Sequence, residues 1–238
     1  MLAARNTGLP GRAPVARRAV PMRDSLRGQG EEGNVRPKWL EWAQEILSIA
    51  QAGLEYSKNP FDLERYERLR KLSAEIVAGS AGLPLEQAEQ LFSSDPGYQT
   101  PKVDVRAVVH REGKLLLVKE QDDEWALPGG WAEPHLSLRE NVAKEVLEES
   151  GMTVQPRKVV AILDRNRHAG DTYPWSVYKI FVKCDLLGGE FKENIETRAA
   201  AFFREGEIPR LSRRRNTPEQ IRLCFAHIRS EQAELEFD

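Results

Sequence analysis

The sequence predicts an α/β fold in which a mixed sheet is held between helices and a small helical domain precedes it. Three observations carry this. Apolar residues recur at helical spacing from Pro37 to Phe92; from Val103 onward they alternate or run in short blocks; and one strongly charged helix, with clear start and stop signals, interrupts those blocks between Ser137 and Gly151. Alternation marks half-buried strands and a 3.6-residue period marks amphipathic helices, so the order strands, helix, strands, helix calls for a sheet with helices laid against it.

Residues 1–36 are rich in Gly, Pro, Arg and Ala, show no periodicity, and are expected to be disordered. Six arginines and one acid, Asp24, up to Arg27 resemble a transit segment, but Pro10, Pro14 and Pro21 interrupt any amphipathic helix, and Met22 offers a second start. Residues 37–95 read as a helical N-terminal domain. Trp39, Trp42, Ala43, Ile46, Ile49 and Ala50 give the first helix an apolar face, with Pro37 near its start. After the Asn59-Pro60 turn, a second helix from about Asp62 to Ala78 carries Tyr66, Leu69, Leu72 and Ile76. A third opens at Leu83-Pro84 with Ala88, Leu91 and Phe92. So small a helical unit makes a marginal core. It is expected to pack on the downstream domain or on a second copy of itself.

Ser93 to Gly97 reads as a linker, and residues 96–238 as the second domain. Its expected strands lie at Val103–Val109, Leu115–Val118, Trp125–Leu127, Val159–Leu163, Val177–Leu187 and Ala199–Phe203. A last helix begins at Thr217, with Pro218 at its first position and Gln220 completing the cap.

The totals exclude several classes. A net charge of −2 argues against a nucleic-acid partner and against anionic membranes. No apolar run reaches the roughly 20 residues that span a bilayer. Cys184 and Cys224 stand far apart and fit a reducing compartment, so a cytoplasmic location is expected. His110, His135, His168 and His227 form no zinc-type pair.

The informative stretch is Gly129 to Met152, GGWAEPHLSLRENVAKEVLEESGM. Ser137 with Glu140 makes a capping box, Val142, Ala143, Val146 and Leu147 supply a buried face, and Gly151 ends the helix. Glu145, Glu148 and Glu149 then stand at i, i+3 and i+4, with Cβ atoms roughly 5–6 Å apart, an unfavourable crowding unless a cation sits over it. Mg²⁺ suits such a place, since it is held by a few carboxylates together with substrate phosphates. The Gly129-Gly130 turn exposes backbone whose carbonyl adds a ligand.

The spacing from Gly130 through the three acids to Gly151 resembles the Nudix box, the signature of hydrolases of nucleoside diphosphates linked to another moiety. Two positions depart from it: Leu136 where the pattern has glutamate, and Lys144 where it has arginine. Lys144 keeps the positive charge but not the forked donor geometry. The likeness continues through LSIAQAGLEYSKNPFDLERYERLR, TPKVDVRAVV, DRNRH and YPWSVYKIF, and so over about residues 37–238. These segments are similar to a Nudix branch that includes bacterial CDP-choline and ADP-ribose pyrophosphatases, in which leucine at the place of Leu136 is ordinary. The resemblance implies a Nudix-type α/β/α sandwich, dependence on Mg²⁺ or Mn²⁺, and a homodimer acting on a small nucleoside diphosphate derivative.

Expected metal ligands are Glu145, Glu148, Glu149 and the Gly129 carbonyl. The same acids or a later carboxylate take the proton from the attacking water, with Glu196 preferred to Glu193. Arg106, mid-strand among valines, needs an anionic partner; a bridge to Asp104 two residues away looks awkward, so substrate is one candidate. Arg165, Arg167 and His168, in an expected loop, are candidates for phosphate, and Tyr178, with Tyr173 and Trp175, for stacking on a base. Two other functions compete: an RNA-processing Nudix enzyme, which wants a basic channel, and an inactive nucleotide-sensing module, which the intact acids argue against.

Overall fold

The computed structural model describes residues 37–93, 97–168, 173 and 175–238; the segment expected to be disordered lies outside them, as does most of the expected linker. Three helices come first: α1 (Lys38–Tyr56), α2 (Pro60–Ala81) and α3 (Leu85–Ser93). Asn59 caps α2 by accepting from the Phe61 amide, Pro60 opens it, and Gly82, in the left-handed region at φ 65°, closes it.

The apolar face expected for α1 is only partly the buried one. Leu40, Ala43, Leu47 and Ala50 are buried, whereas Trp42 and Ile49 point outward. The helix carries two apolar stripes, and the more slender aliphatic one lets α2 approach closely, with Ser73 Oγ donating to the Ala43 carbonyl at 2.6 Å. This small core continues into the downstream domain: Phe92 meets Trp175 edge to face at 5.7 Å, and Val177 joins the same cluster.

The downstream domain is built on β1 (Lys102–Arg111), β2 (Lys114–Glu120), β3 (Trp125–Ala126), β4 (Met152–Asp164), β5 (Val177–Gly189), β6 (Thr197–Phe203) and β7 (Glu236–Phe237). The sheet runs β3-β2-β1-β5-β4-β7, with β6 also pairing β2. β1 and β5 are parallel and their neighbours antiparallel, so the sheet is mixed. β4 begins earlier than expected, because it carries Pro156 past a register shift between Pro156 and Lys158, where the missing amide costs no ladder bond. Helix α4 (Leu138–Ser150) covers one face through Val142 and Val146 against Val105, Ala107 and Val109. Leu147, expected in that interface, is exposed. Helix α6 (Pro218–Arg229) covers the other face through Ile221, Cys224 and Phe225 against Val108 and Phe181. The result is the three-layer sandwich expected. Residues Arg165–His168, read as loop, form the single helical turn α5.

Candidate active site

The site forms where the turn after β3 meets the C-terminal half of α4. Both termini of α4 are built as its sequence predicts: Ser137 and Glu140 complete the capping box, and Gly151 sits at φ 68°. The loop leading into it is organised by Asn141, whose Oδ1 accepts from the Glu133 amide at 2.7 Å while its Nδ2 donates to the Leu136 and Ser137 carbonyls. Sequence reading missed this residue. A buried asparagine on a helix face gives no signal beyond its type.

Gly129 is compulsory. A Cβ there would fall 1.9 Å from the Val105 carbonyl oxygen, and its φ of 144° disfavours other residues. The close approach lets the Val105 amide donate to Gly130 and the Ala107 amide to Pro128, at 2.8 Å each. Between them, the Gly129 carbonyl accepts no hydrogen bond among the described residues. The Gly129 amide donates to Glu149 Oε2 at 2.8 Å. Glu145 Oε2 stands 2.8 Å from where a Gly130 Cβ would be, so the second glycine leaves room for a carboxylate.

The acids differ in setting. Glu149 is buried, and burial pushes its pKa up to about 7 against the opposing pull of Arg106 and the Gly129 amide, with Glu145 adding to the rise. Glu145 is raised in the same way, by burial first, and Glu196 is among the like charges that add to it. Glu148 is turned outward onto Lys144, whose Nζ lies 2.5 Å from Glu148 Oε2, 3.2 Å from Glu133 Oε1 and 4.0 Å from Glu145 Oε1. No three acidic, histidine or cysteine side chains converge as a ready-made metal cage among the described residues. With Lys144 as the local cation, like charges spread apart. The donor set still fits a hard divalent ion: a buried and a part-buried carboxylate one turn apart, a third on the same helix, and the Gly129 carbonyl beside them.

Glu196 is carried to this place by a loop that docks on α4. Asn194 Nδ2 donates to the Glu148 carbonyl at 3.0 Å, and Thr197 Oγ1 to the Glu149 carbonyl at 2.5 Å, satisfying orphan acceptors of the last turn. Asn194 Oδ1 in turn accepts the Glu196 amide at 2.9 Å.

Arg106 corrects an expectation. The bridge to Asp104 is made, and it is bidentate: Nε to Oδ1 at 2.6 Å and Nη2 to Oδ2 at 2.7 Å. Residues i and i+2 share one face of a strand, and a planar fork spans that gap without strain. Burial opposes the charge, but Asp104 outweighs it and holds the guanidinium charged. Arg106 is only 1% exposed, so it acts on the site as a fixed field beside Glu149 and Glu120.

The other expected substrate contacts lie apart from the glutamates. Arg165 is buried and stacks over Tyr173 at 4.4 Å. Arg167 lies 3.9 Å from Asp164. His168 Nε2 meets Asp238 Oδ1 at 2.8 Å. Tyr178 is half exposed on β5, while Trp175 is buried packing. Unforeseen groups take their place around Arg106: Glu120, bridged to Arg215 at 2.8 Å, and buried Lys179, which donates to the Arg214 and Arg215 carbonyls. Burial first, then the neighbouring Arg106, Arg165 and Arg215, bring the Lys179 pKa down to about 7 against the pull of Asp104.

Comparisons with known proteins agree with this fold. Residues 100–224 match the family described as the NUDIX domain, and residues 37–92 match one described as a UDP-X-like, N-terminal oligomerisation domain. The chain is 47% identical over 205 residues to a Bacillus subtilis protein named "Putative ADP-ribose pyrophosphatase YjhB", covering 86% of this chain and 99% of that one. A Streptococcus suis ADP-ribose pyrophosphatase structure is 47% identical with a TM-score of 0.55, covering 58% of this chain and 100% of its own. A UDP-X diphosphatase structure is 34% identical with a TM-score of 0.55, covering 84% and 98%. No described helix is long and apolar enough to cross a membrane. With its glycine turn, its acid-bearing α4 and its sandwich matched in both sequence and fold, the chain belongs to the Nudix hydrolases.

Proposed function

We propose that this protein hydrolyses the diphosphate bond of a nucleoside diphosphate linked to a second moiety, of the ADP-ribose type, and releases a nucleoside monophosphate. One observation carries the reading: buried Glu149 and part-buried Glu145, held against the Gly129-Gly130 turn beside Arg106. Two carboxylates raised by burial are costly to keep together unless a cation and an anionic substrate complete the arrangement. Mg²⁺ or Mn²⁺ would be held by Glu145, Glu149, the Gly129 carbonyl, and Glu148 once turned from Lys144. Such an ion neutralises diphosphate oxygens and acidifies water.

The chain's own residues do the rest. Glu149 stays aligned because the Gly129 amide and the Asn194–Thr197 loop fix its carboxylate and its carbonyl. Glu196 stands on that loop as the base that takes the water's proton. Lys144 offers the leaving phosphate a charge and holds Glu148 in reserve. The ADP-ribose preference is supported by the two relatives of 47% identity that bear that name. A second reading, a UDP-linked substrate, is favoured by the description matched at residues 37–92 and by the UDP-X diphosphatase structure. The same description supports a homodimer, and the two buried, free cysteines fit a reducing cytoplasm.

The test is monophosphate release from ADP-ribose, UDP-sugars, CDP-choline and NADH, with and without Mg²⁺ or Mn²⁺. Metal-dependent turnover of ADP-ribose, lost in Glu149→Gln, is expected. Wild-type rates in that variant, or cleavage of single-stranded RNA alone, overturn the proposal.

A further inference from the structure

The outward face of α1 carries a second apolar stripe. Trp42 is 53% exposed, Ile49 52% and Tyr56 70%, and they stand seven residues apart, which on an α-helix is nearly the same azimuth. Ile46 and Ala52 lie between them on that side, part-exposed. Tyr98, 62% exposed, sets its ring 6.2 Å from that of Tyr56 and widens the patch at one end. The opposite side of α1 supplies the core with α2, and Trp42, Ile49 and Tyr56 lie outside that core. Its length from Trp42 to Tyr56 is about 21 Å.

We propose that this stripe is where a second copy of the chain docks, with the two α1 helices antiparallel and crossing on a two-fold axis at Ile49. The inference rests on the homodimer reading above and goes beyond it by naming the face and its register. Two features select this occupant. The stripe is symmetric about Ile49, with Trp42 seven residues before and Tyr56 seven after. A two-fold therefore places Ile49 against the partner's Ile49 and Trp42 against the partner's Tyr56, the self-complementarity an isologous contact requires. Finally, the domain that presents the stripe is the one whose family description is oligomerisation. A shallow crossing of about 20° keeps both aromatic ends in contact; a steep one would leave only Ile49 touching.

Sedimentation of the full chain and thiol cross-linking test this together. The native cysteines are buried, so introduced ones report alone. Wild type sediments as a dimer. Ile49→Cys cross-links to itself through a short bismaleimide. Trp42→Cys does not, since its copies lie about 20 Å apart, but it cross-links when mixed with Tyr56→Cys. Ile49→Arg, on a surface position that leaves the monomer's core intact, weakens the dimer at least about 100-fold, the scale of a charge buried at an interface centre. A wild-type monomer sinks both the homodimer reading and this face. A wild-type dimer that resists Ile49→Arg and gives no Ile49→Cys product overturns the face and leaves the dimer standing.

Discussion

Charged residues behave oppositely in the two halves of this molecule. In the helical region they sit on the surface and pair along a single helix, as with Lys38 and Glu41, Arg65 and Asp62, or Arg70 and Glu67, each three residues apart. Around the site most are buried and pair across elements: Glu149 to the Gly129 amide, part-buried Glu120 to Arg215, Lys179 to the Arg214 and Arg215 carbonyls, with Asp104–Arg106 inside one strand. Exposed pairs contribute about 0–1 kcal/mol each, so they decide solubility and little else. Buried ones carry a desolvation cost of several kcal/mol per ion and persist where a function demands a fixed field. The contrast marks out the candidate site without reference to any motif.

That contrast can be broken by substitution. Arg106→Ala, which strands Asp104, is expected to cost about 3–5 kcal/mol in urea unfolding; a loss under 1 kcal/mol would mean the pair is better solvated than its burial implies. Glu149→Gln should lower turnover at least about 10²-fold while leaving the fold intact by circular dichroism. The same residue sets a pH dependence. With its pKa raised to about 7, the carboxyl must release a proton before it can ligate, so Mn²⁺ affinity in a titration should fall as pH drops below 7.

Lys179 sets a second pH dependence, this one in stability. Its folded pKa, about 7, lies below its ordinary value of 10.5, so between those values the unfolded chain binds more protons than the folded one. Stability from this group therefore rises with pH through that window and is lost as pH falls through 7. Comparing urea midpoints of wild type and Lys179→Met at pH 6.5 and 9.5 should show wild type gaining on the variant at the higher pH; equal gaps would place the lysine in water. The smallest effect belongs to the helical region. Arg65→Ala, at an exposed pair, should shift stability by no more than about 0.5 kcal/mol.

Local signals were legible in the sequence, and distant pairings were not. Ser137, Glu140 and Gly151 announced α4, because caps are written within a few residues of the ends they close. The three acids and the glycine turn marked the candidate site for the same reason. Arg106 with Asp104 was close in sequence and still misjudged, since i,i+2 geometry depends on whether a forked head can bend over its own strand. Lys179 and Glu120 escaped notice because their partners lie 35 or more residues away. On α1 the period was right and the face wrong. Two stripes satisfied the same spacing, and only packing against α2 chose between them.

The Asn194–Thr197 loop has a consequence for how the protein becomes active. Thr197 opens β6, which pairs β2 from Glu120 to Leu115, and it grips the Glu149 carbonyl from 48 residues downstream. A nascent chain halted before that strand would contain every acid of the signature, yet its hinge of carbonyls at the end of α4 would be left to water. The acid-bearing end of α4 is thus completed from a strand that follows it in the chain, so its geometry depends on β6 having paired with β2.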